Sequence, residues 1–224
     1  MSSKRQIILA SSSPRRQYLM KAVGFDIIIE TPNVDEDFPP ELPVDQVARY
    51  VAEKKAESFR PEIHDEIVIT ADTVVILGNE ILNKPANREE AILMIQKLAG
   101  KTHLVMTGVS IISKEREMTI DESTFVTFLP LNTGDIETYI DRFKPFDKAG
   151  AYGAQDCLRP NINPCSAEET EFLDDLGLHD LVEKTITEPS KDAVVLIDKI
   201  DGSYFNVMGF PIHKVHPLLQ SFLS

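Results

Sequence analysis

Ile7-Ile8-Leu9-Ala10-Ser11-Ser12-Ser13-Pro14-Arg15-Arg16 is an apolar run that breaks into hydroxyls, a proline and two arginines. Four apolar residues in succession suit a strand buried on both faces. Ser13 can cap a helix, and Pro14 suits the first helical position, where a missing N–H costs nothing. The stretch therefore reads as strand and then helix, the opening of an α/β chain. The junction also predicts an anion site, because amides at a helix start attract anions and arginine grips phosphate oxygens in bidentate fashion. A capped helix with two solvated arginines explains the same residues, and the local pattern leaves both readings open.

Working outward, the helix should run to about Val23, with Gly24 ending it and a second strand over Phe25 to Glu30. Residues 31 to 43, rich in Pro, Asp and Glu, read as an exposed loop. Val44 to Phe59 has helical periodicity, with Val47, Ala48, Val51 and Ala52 on one face. Glu66 to Leu77 is a strand, with a short return over Glu80 to Leu82. Asn87 and Glu90 resemble a capping box for a helix striped by Ala91, Ile92, Ile95 and Leu98. Thr102 to Ser113 and Met118 to Leu129 read as two long strands, followed by a helix at 133 to 143. Residues 147 to 155 are Gly-rich and irregular. Short helices are expected near Ala167–Leu176 and Leu178–Lys184, then a strand over Val194 to Ile200. Ser203 to Val207 is expected to pair back across Asp201-Gly202, before a last helix from about Ile212. The order predicts a mixed α/β fold of one domain over residues 1–224, or two lobes sharing a cleft.

The 224 residues, 42% hydrophobic and 26% charged, describe an ordinary globule. No apolar stretch approaches the roughly 20 residues of a membrane span. The first residues lack the pattern of a signal peptide, so no membrane partner and a cytoplasmic location are expected. The formal net charge of −13 disfavours extended nucleic acid, although a few cations converging with a metal could still hold a small polyanion. The cysteines, Cys157 and Cys165, match no common zinc spacing and read as free thiols, with a local redox bridge as the alternative.

Several residues could carry chemistry. Asp72 lies in Ile67-Val68-Ile69-Thr70-Ala71-Asp72-Thr73-Val74-Val75-Ile76-Leu77, where nearly every neighbour is apolar. An ionised carboxylate buried there needs a cation, a metal or a strong donor; capping a turn is the plainer use. Lys55 falls near the centre of the apolar face of its helix, either snorkelling to water or reaching over the core. Lys84, in a Lys-Pro pair after the Asp72 strand, could approach the same pocket. Asp147 to Gly153 mixes opposite charges, small residues and one aromatic ring. Asp35-Glu36-Asp37 could supply a metal ligand or be a solvated loop. His213 and His216 have no partner cluster, and no Walker, dinucleotide or nucleophile-elbow motif occurs.

Taken together, the chain resembles the Maf family. The blocks that carry the resemblance are Leu9 to Arg16, Ala71-Asp72-Thr73, Lys84-Pro85, Leu98 to His103, Asp147 to Gln155, and Ile200 to Tyr204 with Gly209-Phe210-Pro211. They fall in order along nearly the whole chain.

The resemblance implies a mixed-sheet, two-lobed α/β fold with a central cleft, similar to inosine triphosphate pyrophosphatase, and a homodimer. It implies a nucleoside triphosphate substrate cut between its α- and β-phosphates with Mg²⁺, or alternatively Mn²⁺ or Co²⁺. Asp72 matches the general base, and Glu36, with Asp72, the metal position. Ser11 lies in the first matching block, and Arg16, Lys55, Lys84 and Lys148 match basic positions of the phosphate cleft. Arg15, Thr73 and Gln155 match the base-preference positions of the dTTP and UTP type, with modified pyrimidine triphosphates as a further substrate class and nucleotide-pool house-cleaning as the implied role. A nucleotide-binding regulator of septum formation is the other reading. The chain departs from the family after Gln155, where Asp156 opens an acidic insertion reaching about Asp192.

Overall fold

The computed structural model describes residues 5–160, 162–186 and 194–224. The elements in chain order are β1 (Ile7–Ala10), α1 (Pro14–Ala22), β2 (Ile28–Glu30), α2 (Val47–Glu57), β3 (Ile67–Leu77), β4 (Glu80–Leu82), α3 (Arg88–Leu98) and β5 (Thr102–Ile112). Then follow β6 (Glu117–Phe128), α4 (Thr133–Phe143), α5 (Ala167–Leu176), α6 (Leu181–Thr185), β7 (Ile197–Asp201), α7 (Tyr204–Val207) and α8 (Ile212–Leu223). Among the described residues the strands form a seven-stranded mixed sheet in the order β2-β1-β3-β5-β6-β7, with β4 paired to β3 off that path. β1 is parallel to β2 and to β3, whereas β4 and β7 pair antiparallel to β3 and β6. The fold class is the mixed α/β arrangement that the sequence predicts. Among the described residues no helix is long and apolar enough to cross a membrane.

The chain divides into two compact units. The first comprises residues 1–73, 107–122 and 209–224. Its core holds Leu9 of β1, Leu19 and Met20 of α1, Val47 and Val51 of α2, and Ile67 and Ile69 of β3, all buried. Burying each such side chain contributes about 1.5–3 kcal/mol. A methyl on Gly108 would meet the Arg49 backbone at 2.6 Å, so this residue must be glycine for α2 to lie against β5. The second unit comprises residues 74–106 and 123–208. Its core holds Ile95 and Leu98 of α3, Ile136 and Tyr139 of α4, Phe128 of β6, and Tyr204 and Phe205.

Local chemistry explains where the elements start. Pro14 opens α1, but the Ser13 side chain makes no capping bond; the Ser13 N–H donates to Ser11 Oγ at 3.2 Å instead. Asn87 caps α3 by accepting from Glu90 N–H at 2.9 Å, while the Glu90 carboxylate accepts from Ala86 N–H at 2.8 Å. Asn132 and Asp135 form a full capping box for α4.

One expectation fails. Ser203 to Val207 does not pair back as a strand; Tyr204–Val207 is a helical turn, α7. The reason lies in α5. Glu169 of α5, with no exposed surface, accepts from the N–H groups of Tyr204 at 3.0 Å and Phe205 at 2.8 Å and from the Ser203 hydroxyl. Ser203 Oγ in turn accepts from Asn206 N–H at 2.9 Å. These acceptors satisfy the amides that a hairpin would have paired, so the turn closes as a helix.

Candidate active site

In the first unit the buried strand β3 carries Asp72, with Thr70 and Thr73 beside it. Thr70 Oγ1 donates to the Ala52 carbonyl at 2.6 Å, fixing α2 against β3. That contact brings the buried-face lysine of α2 to the carboxylate: Lys55 Nζ lies 2.8 Å from Asp72 Oδ1. The same ammonium is 2.6 Å from Glu36 Oε1, which the acidic loop before α2 supplies. Lys55 is 7% exposed and thus bridges two carboxylates at the edge of the core. Its ammonium pairs with carboxylates rather than snorkelling to water.

Burial pushes the Asp72 carboxyl above its ordinary value, against the pull of Lys55 and then Arg16. Desolvation disfavours the ionised form, and neighbouring cations restore part of it.

Arg16 is a brace. Its Nε donates to the Gly209 carbonyl at 2.8 Å, Nη1 to the Ala71 carbonyl at 2.8 Å, and Nη2 to Thr73 Oγ1 at 3.1 Å. The last two acceptors flank Asp72, so the guanidinium fixes the backbone on which the carboxylate stands. Burial lowers its pKa to about 10, opposed by Asp72, which leaves it charged at neutral pH. Ser11 is buried, with its Oγ 3.4 Å from Arg16 Nη1. Arg15 is partly exposed and its charge acts on Arg16. Thr73 Oγ1 also meets Thr107 Oγ1 at 3.0 Å.

The structure thus brings Ser11, Arg16, Glu36, Lys55, Asp72 and Thr73 together in the first unit. Lys84, Lys148 and Gln155 belong to the second. Lys84 is exposed after β4, where the Asn83 carbonyl accepts from Gly150 N–H at 3.3 Å and joins its loop to the one carrying Lys148. Lys148 Nζ donates to Asp147 Oδ1 at 2.8 Å. A methyl on Gly153 would strike Asp156 Oδ2 at 2.6 Å, and Gln155 Nε2 and Lys148 Cε at 3.0 Å, so these side chains crowd around a bare backbone.

Buried rings hold that loop. Tyr139 Oη accepts from Gly153 N–H at 2.9 Å, and His103 Nε2 lies 2.8 Å from Tyr152 Oη. Burial lowers the His103 pKa to about 4, so the imidazole is neutral at physiological pH. Sequence reasoning missed Thr107 and Tyr139, and carried Gly209 only as part of a matching block, with no role. For Thr107 a signal exists: it is a fully buried hydroxyl within a strand, the same kind of anomaly that marks Asp72. Gly209 contributes only a carbonyl, which no side-chain pattern encodes.

Residues 6–164 match the family described as Maf-like protein. This chain belongs to the Maf family. A Bacteroides thetaiotaomicron protein named dTTP/UTP pyrophosphatase is 35% identical over 219 residues, covering 97% of this chain and 96% of that one. A Cytophaga hutchinsonii protein of the same name is 36% identical over 218 residues, covering 97% and 84%. Among solved structures, the Staphylococcus aureus Ham1 protein overlays at a TM-score of 0.40 with 14% identity, covering 55% of this Maf chain and 72% of its own.

Proposed function

We propose that this Maf chain is a nucleoside triphosphate pyrophosphatase that cuts dTTP and UTP into the monophosphate and pyrophosphate. The observation that carries the proposal is the half-buried Asp72 carboxylate, paired to Lys55 beside Glu36 and braced on both sides by Arg16. A binding module gains little from a carboxylate set against a lysine at the edge of a core. The names of the relatives support the same reading and supply the two bases.

Two carboxylates converging on one cation fit a divalent ion that arrives with its substrate. Mg²⁺ typically takes one or two protein carboxylates plus phosphate oxygens, and Asp72 and Glu36 are such a pair. A bound Mg²⁺, or Mn²⁺ or Co²⁺ in its place, would supply charge neutralisation at the phosphates. Asp72 is the group to orient a water and take its proton for attack at the α-phosphorus. Lys55 favours the ionised form of that carboxylate, against the burial that resists it. Lys84 and Lys148 are proposed phosphate ligands that stabilise charge on the departing pyrophosphate, with Arg15, Thr73 and Gln155 selecting the base. The resemblance adds a cytoplasmic homodimer to the proposal, and sedimentation of the purified chain tests the dimer.

Pyrophosphate release from dTTP and UTP with Mg²⁺ tests the activity. The wild type should turn both over, and Asp72→Asn should lose about 100- to 1,000-fold in kcat while binding nucleotide nearly as well. Binding without turnover by the wild type would favour the regulator of septum formation.

A further inference from the structure

The loop that carries Lys148 is held in a strained conformation by a buried polar pair, all of it within the second unit. Gly150 and Ala151 both have positive φ, of 68° and 60°. A residue with a side chain is strained there, and Ala151 is wholly buried, so its surroundings rather than its own preference fix it. A methyl on Gly150 would lie 3.0 Å from Val75 Cγ1, which leaves the loop no room to shift toward Val75. The Ala151 N–H donates to the Lys148 carbonyl at 3.1 Å and ties the strained residue to the lysine.

His103 of β5 holds the other end. Its ring packs edge-on against Phe128 and Tyr152, with centres 5.0 and 5.4 Å away, and Nε2 lies 2.8 Å from Tyr152 Oη. His103 is 2% exposed, and its Nδ1 has no hydrogen-bond partner among the described residues. A neutral imidazole has one N–H and one lone pair, so Nδ1 buries an unpaired proton in one tautomer and an unpaired lone pair in the other. An apolar ring would fill the same cluster without that loss, and stability alone does not account for the pair. What the pair does is fix Tyr152, the neighbour of Ala151. The next residue is clamped as well: Gly153 N–H donates to Tyr139 Oη at 2.9 Å, and its carbonyl accepts from Cys157 Sγ at 3.2 Å. The Lys148 stem crosses this clamped backbone, with Cε 3.0 Å from where a Gly153 methyl would stand.

We propose that His103 and Tyr152 are positioning residues that aim Lys148: their bond holds the strained loop, and the loop lays the lysine stem across Gly153. This rests on the pyrophosphatase reading, in which Lys148 is a phosphate ligand, and adds the pair that sets that ligand's place.

The test measures kcat/KM for dTTP, with the full chain and Mg²⁺, in Lys148→Met, in the double variant His103→Phe with Tyr152→Phe, and in the triple variant. Melting temperatures are read alongside. Removing both polar partners should leave the melting temperature at or above that of the wild type, yet lower kcat/KM about tenfold. Lys148→Met should lower it about 30-fold in the wild type but only about threefold in the double variant, because the lysine there has already lost its place. A merely structural pair would leave the lysine's effect the same in both backgrounds. Should the double variant not fold, Tyr152→Phe alone, which removes only a hydroxyl, reads the same coupling. An equal loss from Lys148→Met in both backgrounds overturns the inference alone, as does a double variant with wild-type kcat/KM or a Lys148→Met variant that loses nothing. A wild type that cleaves neither dTTP nor UTP overturns the pyrophosphatase reading and the inference with it.

Discussion

Asp72 is a carboxyl whose ionisation its surroundings resist. Burial raises its pKa above the ordinary carboxylate value even with Lys55 and Arg16 nearby, so the folded chain holds this proton to higher pH than the unfolded chain. Between the two values the folded state binds more protons, and stability falls as pH rises through that window. Above it the ionised carboxylate remains a standing cost. Asp72→Asn removes the cost and leaves Lys55 paired to Glu36. The Asn variant should therefore melt above the wild type at pH 8, by about 2–4 °C for each kcal/mol recovered in a chain of this size. The gain should vanish as pH falls below the unfolded value of about 3.9. A lower melting temperature at pH 8 would mean that the Lys55 pairing outweighs the burial. Arg16→Lys probes the brace: a point charge replaces a fork that reaches Gly209, Ala71 and Thr73 at once. It should cost about 1–3 kcal/mol in urea unfolding. Under the proposed function it should also lower kcat more than it raises KM, because the backbone around Asp72 loses its alignment.

At the scale of elements, α2 and β3 were legible because each follows one period: Val47, Val51 and Ala52 mark the buried face of the helix, and the apolar run from Ile67 marks the strand. The same patterns exposed the anomalies, Lys55 and Asp72, which the structure pairs at 2.8 Å. The misread segment was Ser203 to Val207. Its β-like composition invited a hairpin, and what decides its fold is a carboxylate more than 30 positions upstream, beyond the reach of local propensity. Glu169 shows how strong that long-range term is. Its two oxygens accept from Ser166 N–H at 2.9 Å, from Tyr204 and Phe205 N–H, and from the Ser203 hydroxyl. Glu169→Gln turns one acceptor into a donor facing backbone N–H groups and should destabilise the chain by roughly 3 kcal/mol. Equilibrium unfolding in urea checks this: a midpoint equal to wild type would make α5 a passive surface addition.

For the whole molecule, net charge, the α/β class and the ordered set of family blocks were readable from the chain, while the partition of the site residues between two compact units was not. Lys84, Lys148 and Gln155 sit in ordinary loop sequence, and only folding assigns them to the unit that lacks Asp72. The acidic balance of −13 frames the last prediction. If Asp72 and Glu36 needed a divalent ion to coexist, a chelator would unfold the chain as it inactivates it, as in domains whose metal is part of their folding energy. Here Lys55 stands between the two carboxylates at 2.8 and 2.6 Å and supplies the countercharge itself. EDTA should therefore leave the melting temperature within about 1 °C; under the proposed function it should also abolish pyrophosphate release, which excess Mg²⁺ should restore without refolding. Lys55→Met moves that dependence. With the lysine gone the paired carboxylates repel, and Mg²⁺ should then raise the melting temperature of the variant while leaving that of the wild type unchanged. A wild-type chain that loses several degrees in EDTA would show that the ion, and not Lys55, holds Asp72 and Glu36 together.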